Sequence, residues 1–338
     1  MNAQASRIAA EVDYARDGKQ YGFLRLPFST HESAYGWIPI PVICIRNGAG
    51  PRVLLVAGNH GDEYEGQIAV TKLARAIDPR KMSGRIVILP AANLPAALAG
   101  RRTSPLEPGE RGNLNRAFPG DHRGSPTAMI AHYIDTVLLA DTDYVFDFHS
   151  GGSSLLYIPS TEMKRAEDPA KTARMIELTK LFGAPISCIG ITDIPDNLAV
   201  AARRRGLIHM GTELGGGGTT SLDALRILEA GLRRILHHVG ILAADPGVGA
   251  PQPPRMMEVG GPDYYVYSPE DGVFEPLADL GDTVAGGQPA GAIHFPDNPA
   301  REPIVVPFLR DGLVVCKRVP ARTKRGDCLF HLATDLDA

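Results

Sequence analysis

Histidine and carboxylate residues crowd together directly after an apolar segment near the start of the chain. The segment RVLLVAG covers residues 52–58, and His60, Asp62, Glu63 and Glu65 follow it. A catalytic zinc site needs about three histidine or carboxylate ligands, with one further position left open for water. His60 and Glu63 lie three residues apart where a strand is predicted to pass into a helix, so one turn can aim both at one point. We interpret these two residues as metal ligands.

Asp62 and Glu65 have a simpler interpretation than metal binding. Carboxylates in the first turn of a helix are favoured by the helix dipole and are usually solvated. We therefore expect Asp62 and Glu65 at the surface, or as partners that support the ligands.

Two further apolar segments also end in polar residues. DFHSGG covers residues 147–152, and GTELGGGG covers residues 211–218. His149 is well placed to supply a third ligand from a distant part of the chain, and Asp147 lies on the same face of the predicted strand. Asp147 can support His149 or another ligand. The glycine run lacks the G-K-[ST] ending of a phosphate loop, so a close backbone approach or a mobile turn is favoured.

Alternating strand and helix patterns position these residues. Apolar segments at 38–46, 52–58, 85–91, 144–149 and 206–214 read as strands covered on both faces. Helical patterns cover residues 64–78, 125–141, 168–183 and 221–240, with Ser125-Pro126 as a helix start and Gly183 as a helix end. This alternation predicts an α/β domain with a parallel or mixed sheet, in which ligands bind at the carboxyl ends of the strands.

The pattern of the sequence changes after residue 240, where long helical segments give way to short apolar segments and turns. A Pro/Gly-rich linker at 244–255 is followed by short β-like segments separated by turns, which predicts a small all-β domain. We therefore expect a catalytic domain at 1–245 and a β domain at 255–338. Part of the second domain is similar to a lipoyl carrier barrel. Residues 270–309 contain no lysine, so the carrier function is excluded and a structural or site-capping barrel remains.

Composition and charge narrow the class of protein. The 338 residues are 44% hydrophobic and 22% charged, as in ordinary globular proteins, and the net charge of -3 argues against nucleic acid or an anionic membrane as partner. The four cysteines lie far apart without a CxxC pair, which predicts buried free thiols. The first residues resemble neither a signal peptide nor a membrane anchor, so we expect a cytoplasmic protein.

Four motifs in order resemble the succinylglutamate desuccinylase/aspartoacylase family. They are HGDE at 60–63, NLNR at 113–116, DFHSGG at 147–152 and TELGG at 212–216. The resemblance covers most of residues 40–335 and is strongest to the branch of Nα-acetyl-L-2,4-diaminobutyrate deacetylases of ectoine breakdown. It implies a zinc-carboxypeptidase-like mixed sheet flanked by helices, a small C-terminal β domain, and hydrolysis of the amide bond of an Nα-acyl amino acid.

The resemblance also implies a role for individual residues. His60, Glu63 and His149 would bind one zinc ion per subunit, and Glu213 would be the general base that takes a proton from the activated water. Asn115 and Arg116 would bind the α-carboxylate of the substrate, and Arg102 would stabilise the oxyanion. The spacing before NLNR is longer than in the animal aspartoacylases, so Arg101 and Arg111 remain alternatives to Arg102. Relatives of this kind often form dimers, so a homodimer is one expectation.

Three hypotheses for function follow. The first is a deacylase acting on Nα-acetyl-diaminobutyrate, the second a related activity on N-acetylaspartate, N-succinylglutamate or a peptide C-terminus, and the third a noncatalytic zinc-binding module. A base at Glu213 argues against the third, because a structural zinc site needs none. An ammonium side chain would be bound by an acidic residue, for which we favour Asp193 or Asp196. An acidic side chain would need a cation, and Arg203 to Arg205 follow closely.

Overall fold

The computed structural model describes residues 5–190, 194–243 and 247–336. The strands are β1 (Ala9–Ala10), β2 (Gly18–Pro27), β3 (Trp37–Asn47), β4 (Arg52–Ala57), β5 (Gly84–Leu89), β6 (Tyr144–His149), β7 (Leu155–Tyr157), β8 (Ser160–Lys164), β9 (Ile186–Gly190), β10 (Ile208–Glu213), β11 (Arg255–Val259), β12 (Tyr265–Tyr267), β13 (Gly272–Pro276), β14 (Thr283–Val284), β15 (Pro289–His294), β16 (Ile304–Pro307), β17 (Gly312–Arg318), β18 (Arg322–Thr323) and β19 (Cys328–Asp335). The α-helices are α1 (Tyr64–Ala76), α2 (Leu94–Ala99), α3 (Pro126–Tyr133), α4 (Pro169–Phe182), α5 (Leu198–Arg204) and α6 (Leu222–His238).

A long mixed sheet organises the described residues. Its strands follow the order β1-β2-β3-β5-β4-β6-β10-β8-β9-β11-β19-β17-β14. The neighbours β5, β4, β6 and β10 are parallel, so their carboxyl ends meet at one edge. Helices cover both faces of this part, as the apolar strands predict. Leu55 and Phe146 pack toward α1, α4 and α6, while Leu54 and Val145 pack toward α3 and α5.

The predicted strands of the catalytic region are confirmed, and the helices are confirmed with one change. The Ser125 side chain accepts a hydrogen bond from Ala128 N at the start of α3, and Gly183 ends α4 with a left-handed φ of 83°. The helix predicted to reach residue 141 ends as α3 at Tyr133, and the chain continues as a π turn over Ile134–Leu138. The sequence did not predict β2, in which Leu24 and Leu26 are buried but aromatic residues on the other face are exposed.

The C-terminal region is all-β, as predicted. The parallel pair β9 and β11 carries the long sheet into this region, where β19 and β17 continue it. A separate antiparallel sheet has the order β16-β15-β13-β18. Phe274, Phe308 and Phe330 pack together between these elements.

The four cysteines are free thiols, as their spacing in the sequence predicted. Cys44, Cys188 and Cys316 are buried, and Cys328 is half-buried. Within the described ranges, no helix combines the length and the apolar character that crossing a membrane requires.

Candidate active site

The predicted site residues converge where β4, β6 and β10 end. Glu213 at the end of β10 is the register partner of His149 at the end of β6. Val56, near the end of β4, is the partner of Asp147 on the other side of β6. Polar side chains that follow these strands are therefore close in space although far apart in sequence.

Two glycines shape the turn that carries His60. Gly58 ends β4 with a φ of 69°, and a Cβ at this position would lie 2.9 Å from the Cα atom of Ala91. A Cβ on Gly61 would lie 2.0 Å from the carbonyl carbon of Ala96, so only glycine fits there. Gly61 N also donates to the Arg101 carbonyl at 2.8 Å, which brings the following loop against His60.

His60, Glu63 and His149 form a compact group, which we call the metal cluster. One ligand atom from each residue lies within 4.8 Å of the others. His60 Nδ1 is 2.7 Å from Glu63 Oε1, and His149 Nδ1 is 2.7 Å from Glu63 Oε2. His60 and Glu63 are buried, and the His149 side chain is 10% exposed.

The outer nitrogens of both imidazoles are held by acceptors. His149 Nε2 donates to Asp147 Oδ2 at 2.9 Å, and His60 Nε2 donates to Asn113 Oδ1 at 3.1 Å. Asn115 N also donates to Asn113 Oδ1, which identifies that atom as the oxygen. With a proton on each Nε2, a neutral imidazole presents a lone pair at Nδ1. Three acceptor groups then face one another, a donor set that fits a divalent cation with supporting partners behind it.

The pKa values follow this arrangement. Burial raises the pKa of Glu63, but His60 and His149 outweigh it and hold that pKa well below its usual range. Burial lowers the pKa of His149, but Asp147 and Glu63 on either side outweigh it and raise that pKa well above its usual value. Burial lowers the pKa of His60, to which Arg102 adds. A cation bound among these atoms competes with the proton on His149.

Arg102 lies beside the metal cluster. Its Nη1 is 3.3 Å from His60 Nδ1 and 3.5 Å from Glu63 Oε1, and its side chain is 48% exposed. Arg101 and Arg111 are exposed. Of the three candidate arginines, Arg102 therefore contacts the cluster directly.

The NLNR loop lies on the next side of the site. Asn115 accepts a hydrogen bond from Leu198 N at 3.2 Å, which ties the loop to the start of α5. Arg116 Nη1 donates to the Asn115 carbonyl at 2.7 Å, and its Nε is 3.7 Å from Glu110 Oε1. Burial, and then the charge of Arg102, lower the pKa of Arg116. The positive charges of the two arginines thus act on each other at this side of the site.

Glu213 has a buried oxygen without a partner. Its Oε2 accepts no hydrogen bond from the residues that the structure describes. Burial raises the pKa of Glu213 well above its usual value, and the charges of Glu162 and Glu63 add to this. A carboxyl group with a raised pKa binds a proton more readily than an exposed glutamate, as a general base requires.

Asp62 and Glu65 are both buried, so the expectation that they lie at the surface is wrong. Asp62 Oδ2 accepts from Ser153 N at 2.7 Å and from Ser153 Oγ at 2.8 Å. Glu65 accepts from Ser221 N at 3.0 Å. The loops that follow β6 and β10 cover Asp62 and the first turn of α1, which contains Glu65, so both carboxylates bind these loops instead of water.

The glycine run makes a close backbone approach, one of the two interpretations of its sequence. Gly215 to Gly218 all have φ between 67° and 132°. Gly215 O accepts from Gly151 N and from Tyr157 N, and Gly217 N donates to the Leu155 carbonyl. The loops after β6 and β10 are therefore tied together beside Glu213.

A cavity of about 160 Å³ adjoins the metal cluster, and we call it the side cavity. Asp147 and His149 line it on one side, and Tyr265 and His331 of the C-terminal region line it on the other. The sequence missed Glu162 and His331 in this cavity, because neither lies in a motif. Asn113 and Asn59, which hold His60 and Asp147, were also missed as partners, although Asn113 opens the NLNR motif.

Asp193 and Asp196 were the two acidic residues favoured for binding the substrate side chain. Asp193 lies outside the described residues. Asp196 is 59% exposed and lies 4.0 Å from Arg204, while its neighbours Ile194 and Asn197 line the side cavity. The structure thus turns Asp196 toward the helix end instead of the cavity.

Comparison with known proteins decides the family. The pattern of the succinylglutamate desuccinylase/aspartoacylase catalytic domain matches residues 49–239, which include every residue of the metal cluster. The chain belongs to this family.

Relatives within the family match almost the whole chain. The N-alpha-acetyl-L-2,4-diaminobutyric acid deacetylase of Halomonas elongata is 40% identical over 97% of this chain and 95% of its own. The product-bound structure of the ectoine utilization protein EutE from Ruegeria pomeroyi has a TM-score of 0.93 and 38% identity over 98% of this chain and 100% of its own. A succinylglutamate desuccinylase/aspartoacylase structure from Rhodobacter sphaeroides has a TM-score of 0.92 and 39% identity, with the same coverage.

Proposed function

We propose that the protein is a zinc-dependent amidohydrolase that removes the acetyl group from Nα-acetyl-L-2,4-diaminobutyrate in ectoine breakdown. The observation that carries the chemistry is the metal cluster, in which three acceptor groups converge. Glu213 is the register partner of His149, and its Oε2 accepts no hydrogen bond from the described residues. The substrate is taken from the similarity to the Halomonas elongata deacetylase and to EutE.

His60, Glu63 and His149 would hold the zinc ion. Zinc supplies a Lewis-acid charge that makes water a nucleophile near neutral pH. Asp147 and Asn113 orient the two imidazoles so that each directs Nδ1 inward. The cluster is therefore arranged by the fold, and each of the two histidines has a partner that limits its movement.

Proton transfer and charge stabilisation fall to the surrounding residues. Glu213 takes the proton from the attacking water and delivers it to the leaving amine, and its raised pKa suits both steps. Arg102 stabilises the charge that develops on the amide oxygen. Asn115 and Arg116 bind the α-carboxylate, since a guanidinium can form two parallel hydrogen bonds with it. Together they fix the amide between the metal cluster and Glu213.

We also propose that residues 1–245 are the catalytic domain and that residues 255–338 are a β domain that caps the site. Tyr265 and His331 support the capping role, because they line the side cavity. A cytoplasmic location and a homodimer stay predictions.

A substrate panel tests the proposed activity. Acetate release from Nα-acetyl-L-2,4-diaminobutyrate should exceed release from N-acetylaspartate by the zinc-loaded enzyme. If succinate is released from N-succinylglutamate faster than acetate is released from Nα-acetyl-L-2,4-diaminobutyrate, the proposed substrate is wrong. The proposed zinc-dependent amide hydrolysis would still hold. Hydrolysis of none of these would leave two alternatives, an activity on a peptide C-terminus and a noncatalytic zinc-binding module.

A further inference from the structure

The side cavity lies over one lateral row of the sheet. Asp147 on β6 is the register partner of Gly211 on β10, Gly211 is the partner of Glu162 on β8, and Glu162 is the partner of Cys188 on β9. Residues in register on neighbouring strands direct their side chains to the same face. All four of these residues line the cavity. Because Gly211 has no side chain, the space between Asp147 and Glu162 is open.

The two carboxylates of this row differ in their partners. Asp147 is used by the cluster, since Asn59 Nδ2 donates to its Oδ1 and His149 Nε2 to its Oδ2. Glu162 is half-buried, and its carboxylate accepts no hydrogen bond from any residue that the structure describes; the charges near it are those of His149 and Lys164. Its carboxylate is thus the acidic group of the cavity that is still open to a ligand.

A second observation points to a ligand at the same place. His331 is 5% exposed and lines the cavity, yet neither of its ring nitrogens has a hydrogen-bond partner among the described residues. The Tyr265 ring stacks on His331 with centroids 4.3 Å apart, and Tyr265 interacts electrostatically with Glu162. Buried polar groups without partners are rare in folded proteins and call for an explanation. A bound polar group would satisfy them.

We propose that Glu162 binds the side-chain ammonium group of the substrate and that the side cavity is the subsite for this arm. The inference rests on the proposed deacylase function and adds the residue that sets its preference for a cationic side chain. Cys188 and Val259 give the cavity apolar walls for the methylene groups. The Tyr265 ring offers a further favourable contact for a cation.

Lys164 also lines the cavity, and its charge favours the ionised form of Glu162. An ionised carboxylate that accepts no hydrogen bond from a described residue is complemented by an ammonium group. A substrate with an acidic side chain would meet the carboxylates of Glu162 and Asp147 together.

The test compares two substrates on two forms of the zinc-loaded enzyme. Nα-acetyl-L-2,4-diaminobutyrate and Nα-acetyl-L-2-aminobutyrate share a carbon chain, and only the first carries the ammonium group. Wild type should prefer the first in kcat/KM, and Glu162→Gln should reduce that ratio by about 10- to 100-fold, the range of a charge-assisted hydrogen bond. Glu167→Gln is the matched control, because Glu167 is exposed and lies outside the cavity lining.

The outcomes separate this inference from the proposed function. An equal loss on both substrates, or an unchanged ratio in Glu162→Gln, overturns the inference while acetate release still supports the deacylase. A binding measurement on wild type needs no variant. By calorimetry, L-2,4-diaminobutyrate should bind at least 10-fold more tightly than L-2-aminobutyrate. Equal affinities overturn the inference, and failure to hydrolyse either acetylated substrate contradicts the proposed function instead.

Discussion

The metal cluster and the side cavity are neighbours on one sheet, but their polar groups are satisfied in different ways. In the cluster, Nε2 of His60 and of His149 each has an acceptor within 3.1 Å, and the two Nδ1 atoms face Glu63 where a cation would bind. In the cavity, the Glu162 carboxylate accepts no hydrogen bond from a described residue, and neither ring nitrogen of His331 has a partner among those residues. Catalytic groups gain from being fixed before the substrate arrives. Recognition groups can be completed by the substrate itself, and the energy lost by leaving them unpaired then disfavours wrong substrates.

Removal of a metal ligand should have the largest effect on activity, because it disrupts the metal cluster. His149→Ala takes one of three ligands from the metal cluster, so we expect loss of bound zinc and of acetate release. Metal content by mass spectrometry, measured beside the assay, checks this. His294→Ala is the matched control, because the His294 side chain is 43% exposed and pairs with Glu275 in the separate C-terminal sheet. Full zinc content in His149→Ala would remove this residue from the ligand set.

Removal of the base should leave the metal and abolish most of the turnover. Glu213→Gln keeps the shape of the side chain but cannot accept the proton, so kcat should fall by about 10²–10⁴-fold. Steady-state kinetics and metal content on the same preparation separate the two roles. If zinc is lost together with activity, Glu213 is a ligand and the base lies elsewhere.

Substitution of Asp147, which supports the ligand His149, should have an intermediate effect on zinc binding. Asp147→Asn weakens the acceptor that fixes His149 Nε2, and loss of such a partner typically lowers metal affinity by about 10- to 100-fold. Competition with a coloured chelator measures the affinity. An unchanged zinc affinity would show that Asp147 does not support the ligand.

The smallest effect is expected far from both regions, at the amino end of β4. Asp143 pairs with Arg52 at 2.7 Å, and this hydrogen-bonded guanidinium holds the pKa of Asp143 below its usual range. A carboxyl pKa that is lower in the folded state stabilises the protein above the unfolded pKa of about 3.9, and this stabilisation is lost as the pH falls. The side chains are 42% and 38% exposed, so screening limits the pair to at most about 1 kcal/mol.

Thermal unfolding of the metal-free protein checks this point without interference from zinc release. Wild type should have a higher Tm than Asp143→Asn at pH 7, and this difference should become smaller below about pH 4. Turnover of the zinc-loaded variant at pH 7 should match wild type, because Asp143 is remote from the cluster. A difference in Tm that grows at low pH would contradict the assigned direction of the pKa shift.

The sequence predicted the metal cluster better than its surroundings. His60 and Glu63 are three residues apart and share one turn, so their spacing alone indicated that both bind the same metal ion. His149 and Asp147 alternate along a strand, which fixed their common face. Asn113 lies in a long loop that brings it to His60. The sequence of such a loop has no hydrophobic periodicity from which its path could be predicted.

The side cavity could not be predicted because its residues meet only through sheet register. Glu162 lies on β8, whose sequence STEMK lacks the apolar run that marked the other strands. His331 arrives from β19, and the sequence separation exceeds 160 residues. Asp62 and Glu65 were placed at the surface for a similar reason, since the loops that bury them come from residues 153 and 221.

Zinc titration with a product assay tests the central claim most directly. Enzyme stripped of metal with a chelator should release no acetate from Nα-acetyl-L-2,4-diaminobutyrate. Added zinc should restore the rate in proportion until one ion is bound per chain, after which the rate should stay constant. Full activity of the stripped enzyme, or no acetate release at one zinc per chain, would contradict the account.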